Sequence, residues 1–156
     1  MKCRLIAAGT RLPGWVEAGF RDYQRRLRAP LELELVEIPL GQRRAGEDPQ
    51  PARAREGARM LAALDAKHHV VALEVEGTSM STARLARWLA ERLRAARPLA
   101  LLIGGPDGLA AECRARAAET WSLSPLTLPH ALVRVLVAEQ LYRAMSVIAG
   151  HPYHRA

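Results

Sequence analysis

The 156-residue chain holds only two cysteines, Cys3 and Cys113, with no Cys-x-x-Cys pair and no repeated spacing. A disulfide scaffold or a cysteine-based zinc site is therefore not expected. No apolar run approaches the roughly 18–20 residues of a membrane span. The short apolar stretch near the N-terminus falls below what the central region of a signal peptide needs. The chain is expected to be soluble and cytoplasmic, with no membrane partner. Lysine is almost missing, Lys2 and Lys67 being the only two, and aromatics make up 4%. Internal repeats, low-complexity tracts, the G-x-G-x-x-G dinucleotide fingerprint and the G-K-[ST] ending of a phosphate loop are absent as well.

What is present is apolar and basic. Hydrophobic residues make up 49% of the chain, which excludes disorder as its general state. The length suits one domain spanning residues 1–156, large enough to bury a real core. Lys and Arg total 23 against 16 acids, for a net charge of +7 carried almost wholly by arginine. Guanidinium groups suit phosphate because their planar fork donates two hydrogen bonds at once. A nucleic-acid partner fits this charge, although a basic surface alone does not establish one.

Hydrophobic periodicity predicts strands at 2–8, 31–38, 69–73 and 99–103, and a strand-like, turn-containing run at 121–128. The strict alternation over 31–38 predicts an edge strand with one wet face. Helices are predicted at 14–28, 52–65, 109–119 and 129–149, with a further one capped by Ser81 or Thr82. In the first, Trp15, Ala18, Phe20, Tyr23 and Leu27 recur near helical spacing. Residues 40–55, rich in Gly, Pro, Arg and acids, are the best candidate for a mobile loop. Strands alternating with helices predict an α/β fold, a mainly parallel sheet flanked by helices. Ligands of such sheets sit beyond the carboxyl ends of the strands. Leu73, the 104–108 loop and the 122–129 segment are thereby candidate site walls.

Four segments carry chemistry. Gly104-Gly105-Pro106-Asp107-Gly108 follows a buried strand directly, so its backbone could approach a ligand closely, or it could be an ordinary tight turn. In Trp121 through His130, Pro125 and Pro129 forbid a continuous helix or central strand and leave main-chain groups free to hold a neutral heterocycle. A buried connecting loop is the plainer alternative. The last helix carries an apolar stripe from Val133 to Ile148, His130 and Arg134 one turn apart, and a Glu139–Arg143 pair on roughly the opposite face. That pair is either solvated charge or, as preferred here, part of a subunit contact. The tail His151-Pro152-Tyr153-His154-Arg155 could be a frayed end or an element that stacks on RNA with Tyr153 and grips phosphate with Arg155. No further His or Cys pairs with its histidines at a familiar metal spacing, so no metal is expected.

Together, Leu101 through Leu109, Trp121 through His130, Leu132 through Ala144 and His151 through Arg155 resemble the bacterial ribosomal RNA large subunit methyltransferase H family. That family belongs to the SPOUT superfamily, and the likeness runs from Leu5 to the tail. The resemblance implies a SPOUT-type domain with a C-terminal deep trefoil knot, a homodimer, and S-adenosylmethionine as methyl donor. The substrate it implies is N3 of a pseudouridine in 23S ribosomal RNA within the assembled ribosome. It carries the donor site onto Leu73, Gly104, Leu123, Ser124, Pro125, Leu126, Thr127 and Leu128.

Methylation of N3 requires loss of its proton, which a neutral imidazole could accept and a nearby cation could favour. His130, Arg134, His154 and Arg155 form the pool for these catalytic roles, with Tyr153 positioning the base. Two rivals remain. An RNA-binding assembly factor fits the charge but gives no reason for a glycine-rich strand end beside a doubly proline-broken segment. A nucleotide hydrolase lacks its phosphate loop and catalytic carboxylate pair.

Overall fold

The computed structural model describes residues 1–155, with the backbone alone at His154. Five strands form one sheet: β1 (Lys2–Ala8), β2 (Glu32–Ile38), β3 (His69–Ser79), β4 (Leu99–Ile103) and β5 (Glu119–Ser122). Their spatial order is β2-β1-β4-β3-β5, and every pairing is parallel. The helices are α1 (Gly14–Arg26), α2 (Gln50–Ala62), α3 (Thr82–Ala95), α4 (Ala111–Arg116) and α5 (His130–Ile148), followed by a 3-10 turn at Pro152–Arg155.

Alternation along the strands sorts the apolar side chains into two cores. Cys3, Leu5, Ala7, Leu99, Leu101 and Ile103 face the side covered by α1, α3 and α5. Ile6, Ala8, Val70, Ala72, Ala100 and Leu102 face α2 and α4. The result is the helix–sheet–helix layering expected of an α/β fold. Cys3 and Cys113 lie in different cores with the sheet between them, and burial pushes their thiols up to about 12 and about 11. β2 lies at the edge, as its alternation predicts, with Glu32, Glu34 and Glu37 exposed. Ser81 caps α3, its Oγ accepting the Arg84 N–H at 3.2 Å.

Three local expectations are corrected. Trp15 does not share the buried face of α1; it is 65% exposed, while Val16 and Phe20 are buried. The irregular segment after β2 is shorter than residues 40–55, because Pro51 lies in the first turn of α2, where its missing N–H costs nothing. It is also fastened: Arg43 forms ion pairs with Glu56 and Asp107. Finally, β3 continues to Ser79 through a bulge, Trp121 of β5 standing opposite both Leu73 and Thr78. A Cβ on Gly77 would stand 2.4 Å from the Trp121 carbonyl carbon, so only glycine allows the two backbones to approach this closely.

β5 is held by a polar knot of side chains beneath α3. The Glu119 carboxylate lies 2.6 Å from His69 Nε2 and accepts the indole N–H groups of Trp88 and Trp121 at 3.0 and 3.2 Å. Burial pushes its pKa up, but these partners more than offset it and hold the carboxyl below the usual range. From this edge strand the chain crosses back over the carboxyl ends of the sheet, and α5 begins beside Gly9 at the end of β1.

Candidate active site

The carboxyl ends of β3 and β4 open into a cavity of about 270 Å³. Leu73, at the bulge of β3, and Ile103, the last residue of β4, face into it. The turn after β4 contributes Gly104, Gly105, Pro106 and Gly108, and the segment before α5 contributes Leu123, Ser124, Leu126, Thr127 and Leu128. Of the expected donor-site residues, only Pro125 does not line it. Its walls are largely apolar, and Leu126 is 72% exposed.

Local chemistry explains both walls. The turn closes on itself through the Gly108 N–H, which donates to the Gly105 carbonyl at 3.0 Å, with Gly108 at φ +79°. A Cβ on Gly104 would stand 2.4 Å from the Gly108 carbonyl carbon, so this glycine is required by the turn's own backbone and not by a ligand's approach. In the proline-broken segment, Ser122 Oγ donates to the Ser124 carbonyl at 3.0 Å, and Ser124 Oγ accepts the Leu126 N–H at 3.0 Å. The N–H groups of Thr127 and Leu128 enter no backbone hydrogen bond among the described residues. Free main-chain donors between apolar side chains suit the adenine of a nucleoside ligand.

Sequence reasoning missed Glu74 and Val75, which also line the cavity. The bulge in β3 turns them there, a common use of bulges beside sites. Glu74 is partly buried and pairs with Arg114 at 3.0 Å. Among the described residues it is the one carboxylate lining the cavity, suited to a ligand's ammonium or sulfonium charge.

His130, at the start of α5, stands on the rim. Burial, then the neighbouring Arg134 charge, lowers its pKa from the ordinary 6.5, so the imidazole is neutral at neutral pH. Arg134, one turn on, is fully buried. Its Nη2 donates to the carbonyls of Ala8 and Gly9 at 2.8 and 2.6 Å, and its Nη1 to Glu37 at 2.8 Å. Burial lowers its pKa while Glu37 opposes the shift. The guanidinium therefore ties the ends of β1 and β2 to α5 and does not line the cavity, contrary to the expectation that it faces the acceptor.

The tail lies elsewhere. Tyr153 packs edge-on against Tyr142 at 4.7 Å, its hydroxyl 3.2 Å from both Tyr23 Oη and Glu139 Oε1. The Arg143 guanidinium sits 4.9 Å over the same ring and bonds Glu139 at 2.8 Å. The Glu139–Arg143 pair is thus covered by the chain's own tail. Glu139 stands about 14 Å along the helix axis from His130 and on the opposite side of α5, from a rise of about 1.5 Å and a turn of about 100° per residue. Arg155 is exposed, and the His154 side chain lies outside the described residues. One chain thus unites His130 with the cavity but not with Tyr153.

A parallel sheet whose carboxyl ends hold an apolar cavity with free backbone donors, without a phosphate loop, defines a binder of nucleoside-like ligands. The family model described as "Predicted SPOUT methyltransferase" matches residues 1–154. The chain is 58% identical over the full length of both proteins to the ribosomal RNA large subunit methyltransferase H of Alkalilimnicola ehrlichii. It is 52% identical to the protein of that name from Hahella chejuensis, over 99% of each. A solved methylase family protein of Haemophilus influenzae shares the fold, with a TM-score of 0.59 at 13% identity over 97% of this chain and 69% of that one. The chain belongs to the SPOUT methyltransferase family.

Proposed function

We propose that this chain, acting as one domain over residues 1–156, methylates N3 of a pseudouridine in 23S ribosomal RNA within the assembled ribosome, and so works in the cytoplasm. The observation that carries this is the neutral His130 at the rim of an apolar cavity at the strand ends, in a chain 58% identical to a protein named for ribosomal RNA methylation. Bound S-adenosylmethionine supplies the electrophilic methyl group. Leu73, Leu126 and Leu128 would flank its adenine, the Thr127 and Leu128 N–H groups would hydrogen-bond it, and Glu74 would face its positive end. His130 Nε2 takes the N3 proton, and Arg134 holds that imidazole in place through Gly9. Alignment of the two reacting centres supplies much of the remaining barrier reduction. Among the described residues no helix is long and apolar enough to cross a membrane.

The separation of Tyr153 from the cavity favours a homodimer in which the tail of one chain serves the cavity of the other. Trp15 and the half-buried Leu132 and Leu136 offer apolar surface for the contact. The return of the chain from β5 to β1 across the strand ends is the course a trefoil knot would require. Isothermal titration with S-adenosylmethionine, followed by mass spectrometry of pseudouridine from treated ribosomes, tests the activity. Heat of binding and a methyl group on N3 are expected. A flat titration would favour an RNA-binding assembly factor.

A further inference from the structure

One side chain joins the segment after β2 to the turn that walls the cavity. The Arg43 guanidinium lies between two carboxylates: Nη1 and Nη2 donate to Glu56 Oε1 and Oε2 at 2.6 and 3.1 Å, and Nε donates to Asp107 Oδ2 at 2.6 Å. Nη1 also donates to the Gly41 carbonyl at 3.0 Å, so all three nitrogens are engaged. Glu56, on α2, is 2% exposed, and its Oε1 accepts the Gly41 N–H at 2.8 Å. Arg53 adds a bond from Nη1 to the Asp107 carbonyl at 3.2 Å.

The turn divides its residues accordingly. Gly104, Gly105, Pro106 and Gly108 line the cavity, whereas Asp107 is turned away from it toward Arg43. Two carboxylates brought this close repel unless a cation lies between them, and a planar fork is the group that can serve both while bonding a carbonyl. The hydrogen bonds that Arg43 donates to Glu56 and to Asp107 push its pKa further up against the effect of burial, so the cation is permanent.

We propose that Arg43 is a positioning residue: by holding Asp107 against Glu56 it fixes the Gly104–Gly108 turn, and through that turn it sets the affinity for the methyl donor. This rests on the donor-site assignment above. It couples the segment after β2, on the outer face of the domain, to the pocket.

The test is donor titration of the full-length chain as wild type, Arg43→Lys, Asp107→Asn and the double variant, with hydrogen exchange on residues 104–109 and 99–103. Lysine keeps the charge but cannot span both carboxylates. Each single variant is expected to weaken S-adenosylmethionine roughly tenfold, and the double variant no further, since both cut one link. The donor KM should rise while kcat at saturating donor stays within about threefold, the pattern of lost ground-state positioning. Amides of 104–109 should exchange faster while those of β4 do not. A lower melting temperature with unchanged donor affinity would overturn the proposal, as would losses that add in the double variant. A wild type that binds no donor overturns the pocket assignment instead, and shows itself before any variant is compared.

Discussion

The two ends of α5 hold the same kinds of side chain in opposite ways. At its first turn Arg134 is buried to the last atom against two carbonyls and Glu37, and the imidazole beside it is kept neutral. Toward its far end Arg143 lies partly open over the ring of Tyr153, in a cluster of tyrosines that keeps the tail on the surface. A cation buried against two carbonyls and a carboxylate locks strand ends to a helix, whereas one spread over an aromatic face holds a surface element. The same residue type, nine positions apart on α5, is thus sealed into the fold at one end and left at the surface toward the other.

Breaking the first end should have the largest effect. Arg134→Met would leave Glu37 without its partner and the Ala8 and Gly9 carbonyls without their donor. Removing one partner of a buried charged network costs about 3–5 kcal/mol. At about 2–4 °C per kcal/mol for a domain of this size, calorimetry should show a fall on the order of 10 °C, with methyl transfer lost as well. A variant as stable as wild type would mean that the guanidinium is not what joins β1, β2 and α5.

His130→Gln should spare stability and donor binding while removing the proton acceptor, a loss of about 10²–10⁴ in rate. The sign of the pH effect follows from the lowered pKa. The acceptor must be neutral, so activity falls as pH drops through the imidazole's folded-state value, which lies below 6.5. The acid limb of kcat/KM should therefore lie below 6.5 in wild type and vanish in the variant. A limb above that value would point to another group.

Much of the cavity was legible because its walls interrupt periodicity. A glycine run after a buried strand and two prolines four apart cannot continue regular structure, so their positions are plain in one dimension. The edge strand was equally plain from alternating Leu and Glu. Illegible were features made by distant pairing. The bulge that turns Glu74 and Val75 inward is a matter of β3–β5 register, and Glu-Val-Glu-Gly reads locally as a strand end. Arg43 meets Asp107 across 64 positions and Arg134 meets Gly9 across 125, separations that no local pattern encodes. Nor does a Tyr among polar tail residues announce that it folds back onto Tyr142.

The far end is tested by removing the tail after Gly150. This carries a cost, because Tyr153 packs on Tyr142 and bonds Glu139; an aromatic pair adds about 0.5–1.5 kcal/mol. The truncated chain should melt a few degrees lower, bind the donor normally and fail to methylate ribosomes. Mixed with His130→Gln, it should recover activity, roughly a quarter of wild type for statistical dimers in which each mixed pair holds one whole site. Absence of recovery, with mixed dimers shown by mass spectrometry, would exclude a tail that serves the partner's cavity.

Tyr153→Phe asks for the least and separates ring from hydroxyl. The ring should stay against Tyr142 and beneath Arg143, so only the hydrogen bonds with Tyr23 and Glu139 are lost, a cost of about 1 kcal/mol. Burial first, then Tyr23 and the Glu139 carboxylate, push the phenol well above its ordinary 10.0. In the unfolded chain it ionises near 10; in the folded chain it does not. The stability conferred by the hydroxyl is therefore complete below pH 10 and is lost as pH rises beyond it. Melting curves should show wild type ahead of the variant by a constant margin from pH 7 to 9, a margin that narrows above 10. Methyl transfer should stay within about threefold of wild type, because stacking on a base needs only the aromatic face. A rate as low as that of the truncated chain would move the decisive chemistry of the tail from the face of Tyr153 to its hydroxyl.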